Sequence, residues 1–335
     1  MTAEQQVREL LARLDTPMVN PSLSRLTGGV SSDIWLVQDG QRRVVVKRPL
    51  AQLRVAASWS VPTTRGDCEA AWLRFVATVV PGACPQLVAF DAATHSLVLE
   101  YLDPTGHSNW KVELMAGRVD AWFAAQVGAT LGEIHAASVR AQVADQFRNQ
   151  CLFEALRIEP YLRRTAAQYG QLRPQFHQLI TALETTQVAL VHGDVSPKNI
   201  LTGQSPILLD AECATWGDPA FDLAFCQTHL ILKQVHLPRY AEAIGQARQA
   251  LLRGYLDQVD WEEPAAVSAR AARLVPALAL ARVAGASPAE YLSAQEGQRV
   301  EEIALLAMQH HDIDSAIAQT SGHLDAGTTG GPAHD

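Results

Sequence analysis

The sequence predicts an α+β protein with two lobes, a strand-rich N-terminal lobe and a mainly helical C-terminal lobe. The chain has 335 residues and a hydrophobic content of 48%, which is enough for a large buried core. Up to about residue 101 the apolar runs are short and strand-like, whereas the later ones recur at helical spacing. The turn-rich stretch "EYLDPTGHSNW" separates the two patterns. We therefore expect lobes at residues 1–102 and 103–318.

The N-terminal lobe is predicted to be a small sheet with one helix inserted between its strands. Before it, residues 3–14 place four apolar side chains on one helical face: Val7, Leu10, Leu11 and Leu14. The stretch "SDIWLVQDGQRRVVVKRP" predicts two strands joined by a tight turn at Asp39-Gly40. The segment "RGDCEAAWLRFVATVV" has helical spacing, and "PQLVAFD" and "HSLVLEYL" predict two more strands. The expected order is strand, strand, helix, strand, strand.

The C-terminal lobe shows helical periodicity and two candidate helix starts. Four apolar residues step by four, four and three: Phe123, Val127, Leu131 and Ile134. Asp260 with Glu263, and Ser287 with Pro288 and Glu290, fit the pattern of helix N-termini. Residues 319–335, "QTSGHLDAGTTGGPAHD", are rich in small residues without a period. We expect this tail to be disordered.

Charge and composition argue against several functional classes. The formal net charge is −8, whereas binding to a nucleic-acid backbone relies on clustered Lys and Arg. No stretch resembles a signal peptide, and "RLVPALALARVAGA" is shorter than the roughly 18 apolar residues of a membrane span. The five cysteines are scattered and never spaced C-x-x-C, so we interpret them as core thiols. We expect a cytoplasmic protein with no nucleic-acid, membrane or protein partner.

One loop carries most of the chemical signal. The stretch "LVHGDVSPKNIL", residues 190–201, is followed by a short hairpin that ends in "ILLD" at Asp210. The hairpin is predicted to bring Asp194, Asn199 and Asp210 together. Transfer of a phosphoryl group from ATP needs a base or positioner for the attacking hydroxyl and oxygen ligands for Mg²⁺. This set of residues supplies both.

The segments "VHGDVSPKNIL" and "ILLDAECATWGDPAFDLA" resemble the catalytic loop and metal-binding strand of the aminoglycoside phosphotransferase and choline kinase family. That family has a two-lobed, protein-kinase-like fold. Gly193 replaces the Arg of the protein-kinase H-R-D motif, and Ala211-Glu212 replaces the Phe-Gly of D-F-G. No long segment ending in A-P-E follows. The resemblance, over roughly residues 20–235, therefore points to a small-molecule kinase and not a protein kinase.

The resemblance implies a role for each residue of these motifs. Asp194 matches the catalytic base and His192 the residue that supports the loop, while Asn199 and Asp210 match the Mg²⁺ ligands. Asp218 and Asp222 match positions that stabilise the fold, equivalent to a helix cap and a first-turn acid.

The resemblance also implies an ATP site in the N-terminal lobe. Lys47 would hold the α and β phosphates, as the lysine of the kinase "VAIK" motif does, and Glu69 would orient it. The alternative for Glu69 is a solvated first-turn acid. The remaining candidates are the glycine loop, Gly28, Gly29 and Ser31, and the backbone of the interlobe hinge, Glu100, Tyr101 and Leu102.

The sequence leaves the acceptor open. Arg270, Arg273 and Arg282 could bind an anionic or sugar-like acceptor, although such arginines more often pair with acids on neighbouring helices. The negative net charge, with Glu212 beside the metal site, favours a cationic acceptor such as an aminoglycoside or an amino alcohol. We expect an ATP- and Mg²⁺-dependent kinase of a small-molecule hydroxyl group. The alternative is a catalytically degenerate, nucleotide-binding regulator of the same fold.

Overall fold

An antiparallel sheet forms the N-terminal part of the protein. The computed structural model describes residues 2–14, 18, 20–26, 31–52, 54, 60–310 and 312–326. The sheet has five strands in the order β1-β2-β3-β5-β4, and every neighbouring pair is antiparallel. The strands are β1 (Ser22–Leu26), β2 (Ser32–Asp39), β3 (Arg42–Pro49), β4 (Leu87–Asp91) and β5 (Ser96–Glu100). The sheet and the helical remainder confirm the predicted two-lobed α+β fold.

The two helices of this lobe pack in different places. Helix α1 (Ala3–Ala12) buries Val7, Leu10 and Leu11. These side chains form a small core with sheet valines, which are Val37, Val44, Val46 and Val98. Helix α2 (Arg65–Val79) lies between β3 and β4 in the chain, as predicted, and its Trp72, Leu73 and Val76 join the main core. The β2–β3 turn is tight because Asp39 pairs with Arg42 and Gly40 adopts φ +60°.

Helices build the rest of the chain. They are α3 (Trp110–Met115), α4 (Ala121–Ala141), α5 (Gln150–Phe153), α6 (Arg164–Gln168), α7 (Arg173–Thr185), α8 (Ala220–His236), α9 (Ala241–Leu256), α10 (Pro264–Ala284), α11 (Ala294–His310) and α12 (Ile313–Ala326). A π-helical segment, Glu154–Arg163, connects α5 to α6. Within the described ranges, no helix combines the length and apolar character needed to cross a bilayer.

Helix α8 is the centre of this lobe. Most of its residues are buried, including Phe221, Phe225 and Leu230. Helix α4 buries the four apolar residues that the sequence placed on one face: Phe123, Val127, Leu131 and Ile134. A single large core therefore joins α4, α8, α9, α10 and helix α2 of the sheet lobe.

Short strands shape the loop singled out in the sequence. Strands β6 (Ala189–Val191) and β9 (Thr215–Gly217) pair with each other, and β7 (Ile200–Leu201) pairs with β8 (Ile207–Leu208). The β7–β8 hairpin is the one predicted between Asn199 and Asp210. The backbone N–H of Leu209 donates to the carbonyl of Asn199 at 2.8 Å. The hairpin therefore keeps the loop and the residues before Asp210 side by side.

Both predicted helix starts were wrong. Helix α10 begins at Pro264 with Glu263 as its cap residue, not at Asp260. Ser287 precedes no helix because its hydroxyl oxygen accepts from Arg282 Nη1 at 2.9 Å; α11 begins later, where Ser293 and Glu296 bond reciprocally. Helix α12 reaches Ala326, so it overlaps the first part of the tail predicted to be disordered. Residues 327–335 lie outside the described ranges.

Candidate active site

Lys47 links the sheet lobe to the helical lobe. Its ammonium lies 2.6 Å from Glu69 Oε2 on α2 and also contacts Asp210 Oδ1. Burial alone would lower the pKa of Lys47, but the carboxylates of Asp210 and Glu69 reverse this and raise it well above its ordinary value. The lysine is therefore a fixed positive charge where the two lobes meet. Glu69 is 3% exposed, which argues against the alternative of a solvated acid.

The two acidic partners of Lys47 have different environments. Burial raises the pKa of Glu69 to about 7, with Lys47 opposing the shift. For Asp210 burial acts in the same direction, but the cations of Lys47 and Lys198 prevail and bring its pKa to about 2. Asp210 also has φ +69°, an unusual conformation for a residue with a side chain. It is thus held ionised in a constrained turn, as a metal ligand would be.

Asp194 is buried among polar and cationic groups. Its Oδ2 accepts from Asn199 Nδ2 at 2.8 Å and lies 3.2 Å from Arg157 Nη2 and 3.3 Å from Lys198 Nζ. Asn199 Nδ2 also donates to the Asp194 carbonyl at 3.1 Å. These contacts fix the carboxylate in one orientation.

Asp222 supports the loop that carries Asp194. Its two carboxylate oxygens accept from the backbone N–H groups of His192 at 2.6 Å and Gly193 at 2.8 Å. Its residue type and place in the first turn of α8 agree with the stabilising position that the sequence indicated. The loop is therefore tied directly to the central helix of the lobe.

His192 acts as a support for the same loop. Its Nδ1 accepts from the Asp194 backbone N–H at 3.1 Å, and its ring meets the edge of Trp72 at a centroid distance of 5.0 Å. Burial lowers the pKa of His192, so the imidazole is neutral near pH 7. A neutral, enclosed ring suits loop support and not proton transfer.

Glu212, which the sequence placed beside the metal site, is paired with a buried arginine. It is 7% exposed, and its Oε2 lies 3.0 Å from Arg65 Nε. Arg65 is fully buried and also donates to backbone carbonyls, including that of Ser31 at 2.5 Å. The Glu212 charge is therefore balanced by an arginine of α2.

The side-chain oxygens of Asn199 and Asp210 suit Mg²⁺ as ligands. Within the described residues, no hydrogen bond uses Asn199 Oδ1 or Asp210 Oδ2, so an amide oxygen and an ionised carboxylate oxygen are available. The same part of the chain contains no group of three or more His, Cys, Asp or Glu side chains that could hold a metal alone. Mg²⁺ commonly takes one or two protein oxygens and completes its shell with phosphates and water.

The predicted adenine hinge lies at the end of β5. The Glu100 N–H already donates to the Gln86 carbonyl at 3.0 Å, and Glu100 Oε1 accepts from the Gln86 N–H at 2.9 Å. The backbone groups of Tyr101 and Leu102 make no hydrogen bond within the described ranges. Tyr101 and Leu102 are therefore better placed than Glu100 to meet an adenine. Of the predicted glycine loop, Gly28 and Gly29 lie outside the described residues. Ser31 directly precedes β2, and its backbone carbonyl accepts a hydrogen bond from Arg65.

Sequence reasoning missed Arg157 and Lys198. Arg157 is 7% exposed, contacts the Gly193 carbonyl and pairs with Asp194. It lies in a helical segment without a motif, so no local signal marks it. Lys198 could have been found, because it lies four residues after Asp194 in the loop.

Of the three candidate acceptor arginines, Arg270 is structural. It pairs with Asp218 at 2.9 Å and Glu262 at 2.7 Å. Arg273 donates to the Ala269 carbonyl on its own helix, and Arg282 donates to Ser287.

Comparisons with solved structures show a shared fold. The fold matches a choline/ethanolamine kinase family protein from Mesorhizobium loti with a TM-score of 0.54 and 16% identity, over 95% of this chain and 99% of that one. It matches a Plasmodium vivax ethanolamine kinase with a TM-score of 0.57 and 11% identity, over 94% and 91%. A spectinomycin phosphotransferase solved with ADP and spectinomycin matches with a TM-score of 0.51 and 13% identity, over 95% and 98%.

A search of curated proteins finds no match. The model of the phosphotransferase enzyme family, APH, matches residues 22–267. That span covers the sheet, the Lys47 cluster, the Asp194 loop and α8. The chain therefore belongs to the APH phosphotransferase enzyme family.

Proposed function

We propose that this protein is an ATP- and Mg²⁺-dependent phosphotransferase that phosphorylates a hydroxyl group of a small molecule. One observation carries the proposal: Lys47 of the sheet contacts Asp210 of the helical lobe, beside the loop that holds Asp194 and Asn199. A phosphate-binding cation, two metal-ligand oxygens and a base are thereby concentrated at one cleft.

The Lys47 side of the cleft is suited to the nucleotide. Lys47 would bind phosphate oxygens, and Asn199 and Asp210 would hold the ion that neutralises phosphate charge. The direct contact between Lys47 and Asp210 would then be replaced by contacts to phosphate and metal. Tyr101 and Leu102 would offer backbone groups to adenine.

Asp194 is suited to handle the acceptor proton. In the reaction the acceptor oxygen forms a bond to the γ-phosphorus, the bond from that phosphorus to the bridging oxygen of ADP breaks, and Asp194 takes the hydroxyl proton. Arg157, Lys198 and Asn199 hold the carboxylate in place. The structural neighbours support this proposal, because their names describe kinases of choline, ethanolamine or spectinomycin, and one was solved with ADP.

Nucleotide binding can be tested before any acceptor is known. Calorimetry should show Mg²⁺-dependent ATP binding by the wild type, a loss of at least roughly tenfold in affinity for Lys47→Met, and a weaker dependence on Mg²⁺ for Asp210→Asn. Lys233→Met is a matched control, because Lys233 is also a buried lysine but has no contact with Lys47 or Asp210. Absence of Mg-ATP binding by folded wild-type protein would contradict the proposal.

A further inference from the structure

A second group of cations is buried in the helical lobe. We define the cationic cluster as Lys111, His229, Lys233, Arg282 and Tyr291. The ammonium groups of Lys111 and Lys233 lie 5.4 and 5.2 Å from the centroid of the Tyr291 ring. Helices α3, α8 and α10 and the segment before α11 each contribute a member.

The positive charge of the cluster exceeds its negative charge. Lys111 pairs with Glu290 at 2.6 Å. Lys233 is 1% exposed, and within the described residues its ammonium donates only to the carbonyl of His229, at 3.4 Å. Among the described residues, no carboxylate forms an ion pair with Lys233 or Arg282. Glu290, the nearest acid, pairs directly with Lys111 and acts on Lys233 and Arg282 only at longer range. Positive charge is costly at these two buried groups unless a ligand supplies a direct partner.

The cluster also contains buried hydrogen-bond donors that have no partner. Arg282 is 8% exposed, and among the described residues no group accepts a hydrogen bond from its Nε. The hydroxyl of Tyr291 is also buried without a partner in the described part of the chain. Burial, followed by the repulsion of Lys111, lowers the pKa of Lys233 to about 7. Buried polar groups normally have partners, so several unused donors in one place indicate a site for an acceptor-rich ligand.

The cluster lies next to the catalytic loop. Phe225, His229 and Lys233 follow one face of α8, whose first turn holds the loop through Asp222. The Phe225 ring lies 5.0 Å from that of His229 and 5.8 Å from the guanidinium carbon of Arg157, the partner of Asp194.

Helix α3 provides a second connection. Asn109, its cap residue, donates from Nδ2 to the Lys198 carbonyl at 2.7 Å, and Lys111 lies two residues further along. The cluster therefore borders the Asp194 loop from two sides.

We propose that the cationic cluster binds an anionic group of the phosphoryl acceptor, so that the substrate is a hydroxylated small molecule carrying a carboxylate or a phosphate. This inference rests on the proposed function. It is consistent with Glu212, whose charge is paired with Arg65. Lys233 and Arg282 supply charge, while Tyr291 supplies a neutral donor.

The first test measures anion binding without a chosen acceptor. Inorganic phosphate and acetate are titrated into wild type, Lys233→Met and Lys47→Met, with folding checked by circular dichroism. Acetate should bind wild type and Lys47→Met similarly, and phosphate should still bind Lys47→Met. Lys233→Met should lose roughly 10- to 100-fold in affinity for acetate, and also for phosphate when it is combined with Lys47→Met. The Lys47→Met arm removes phosphate binding at the nucleotide site. Absence of anion binding, or equal acetate binding by Lys233→Met, would overturn the inference.

The second test compares acceptors on one scaffold by ADP release. Glucuronate and glucose 6-phosphate are anionic, glucose is neutral and glucosamine is cationic. If any of the four is an acceptor, an anionic sugar should be preferred, and Lys233→Met should lose the preference through KM more than kcat. Preference for glucosamine would contradict the inference. If none reacts, the anion titration decides, and Mg-ATP calorimetry on the same samples shows separately whether the nucleotide proposal holds.

Discussion

Gly193 shows how a single residue shapes the Asp194 loop. Its φ is +81°, and a Cβ there would lie 2.8 Å from Cys213 Cβ. Gly40 also has a positive φ, +60°, but a Cβ would meet nothing within 4 Å. Comparing alanine substitutions at Gly40 and Gly193 therefore separates the cost of a left-handed backbone from the cost of crowding a neighbour.

We expect Gly40→Ala to lower the free energy of unfolding by about 1–2 kcal/mol, the cost of a left-handed conformation. Gly193→Ala should cost about 1–3 kcal/mol more, because Cys213 must also move. Urea unfolding of both variants measures the difference. Equal losses would show that the contact with Cys213 is unimportant.

Residue spacing predicted that Asp194, Asn199 and Asp210 lie close together, but it did not predict Arg157. Asp194 and Asn199 are close because they share a loop, and Asp210 follows through a short hairpin, so local sequence was sufficient. Arg157 reaches Asp194 from a π-helical segment with a contact at 3.2 Å. Such a contact depends on how helices pack in three dimensions, which periodicity does not specify.

At the scale of elements, two acids at the start of α8 have different tasks, Asp222 in its first turn and Asp218 just before it. Asp222 holds the backbone of the Asp194 loop, whereas Asp218 accepts from the Ala220 N–H at 3.0 Å and pairs with Arg270. Asp222→Asn would place an amide donor against a backbone donor. The loop should then lose order.

Asp222→Asn is expected to lower kcat by roughly tenfold or more with little change in Mg-ATP affinity, because it acts on the loop and not on the nucleotide. Asp218→Asn should instead reduce stability, by about 1–3 kcal/mol, with nearly normal turnover of the surviving folded enzyme. Kinetics and urea unfolding on both variants make the comparison. A normal kcat for Asp222→Asn would contradict the loop-holding role.

Element prediction failed where polar residues decide the boundaries. Strand β1 was missed because "SLSRL" is short and mostly exposed, so it has no clear alternation of apolar and polar residues. Ser287 resembled a helix cap in sequence, but its hydroxyl oxygen accepts a hydrogen bond from Arg282 instead. The β2–β3 hairpin and α4 were predicted correctly because a tight turn signal and a buried apolar face are local features.

At the scale of the whole molecule, buried charges make stability depend on pH. Lys233 has an ordinary pKa of 10.5 and a folded-state pKa lowered to about 7, first by burial and then by Lys111. Between these values the unfolded chain binds a proton that the folded chain does not. The free energy of unfolding should therefore rise with pH across this window, and the penalty should be complete below it.

The test compares wild type with Lys233→Met in buffers free of phosphate and carboxylate. The stability advantage of Lys233→Met should be largest at or below about pH 7 and should shrink towards about pH 10, by at most about 1.4 kcal/mol per pH unit. The other titratable groups near Lys233 are unchanged in the variant; they are Lys111, Cys226, Arg282 and Glu290. A difference that is constant with pH would show that Lys233 is not titrating in this range.

The two lobes meet through buried ion pairs at the cleft. Lys47 reaches Asp210 and Arg65 reaches Glu212, so β3 and α2 are each fixed to the segment after β8. The Leu208 N–H also donates to the Ala83 carbonyl at 2.8 Å. The position of Lys47 relative to Asp194 is thus set by the assembly of both lobes.

The most direct test of the central claim is the rate of γ-phosphate transfer from ATP by Asp194→Asn, measured with Mg-ATP affinity on the same folded sample. An acceptor found by ADP release is needed; Mg-ATP binding without transfer to any acceptor would indicate the regulator. If Asp194 takes the acceptor proton, turnover should fall roughly 10²- to 10⁴-fold while ATP affinity stays nearly unchanged. Near wild-type turnover by Asp194→Asn would show that the loop at residues 190–201 is not the catalytic loop.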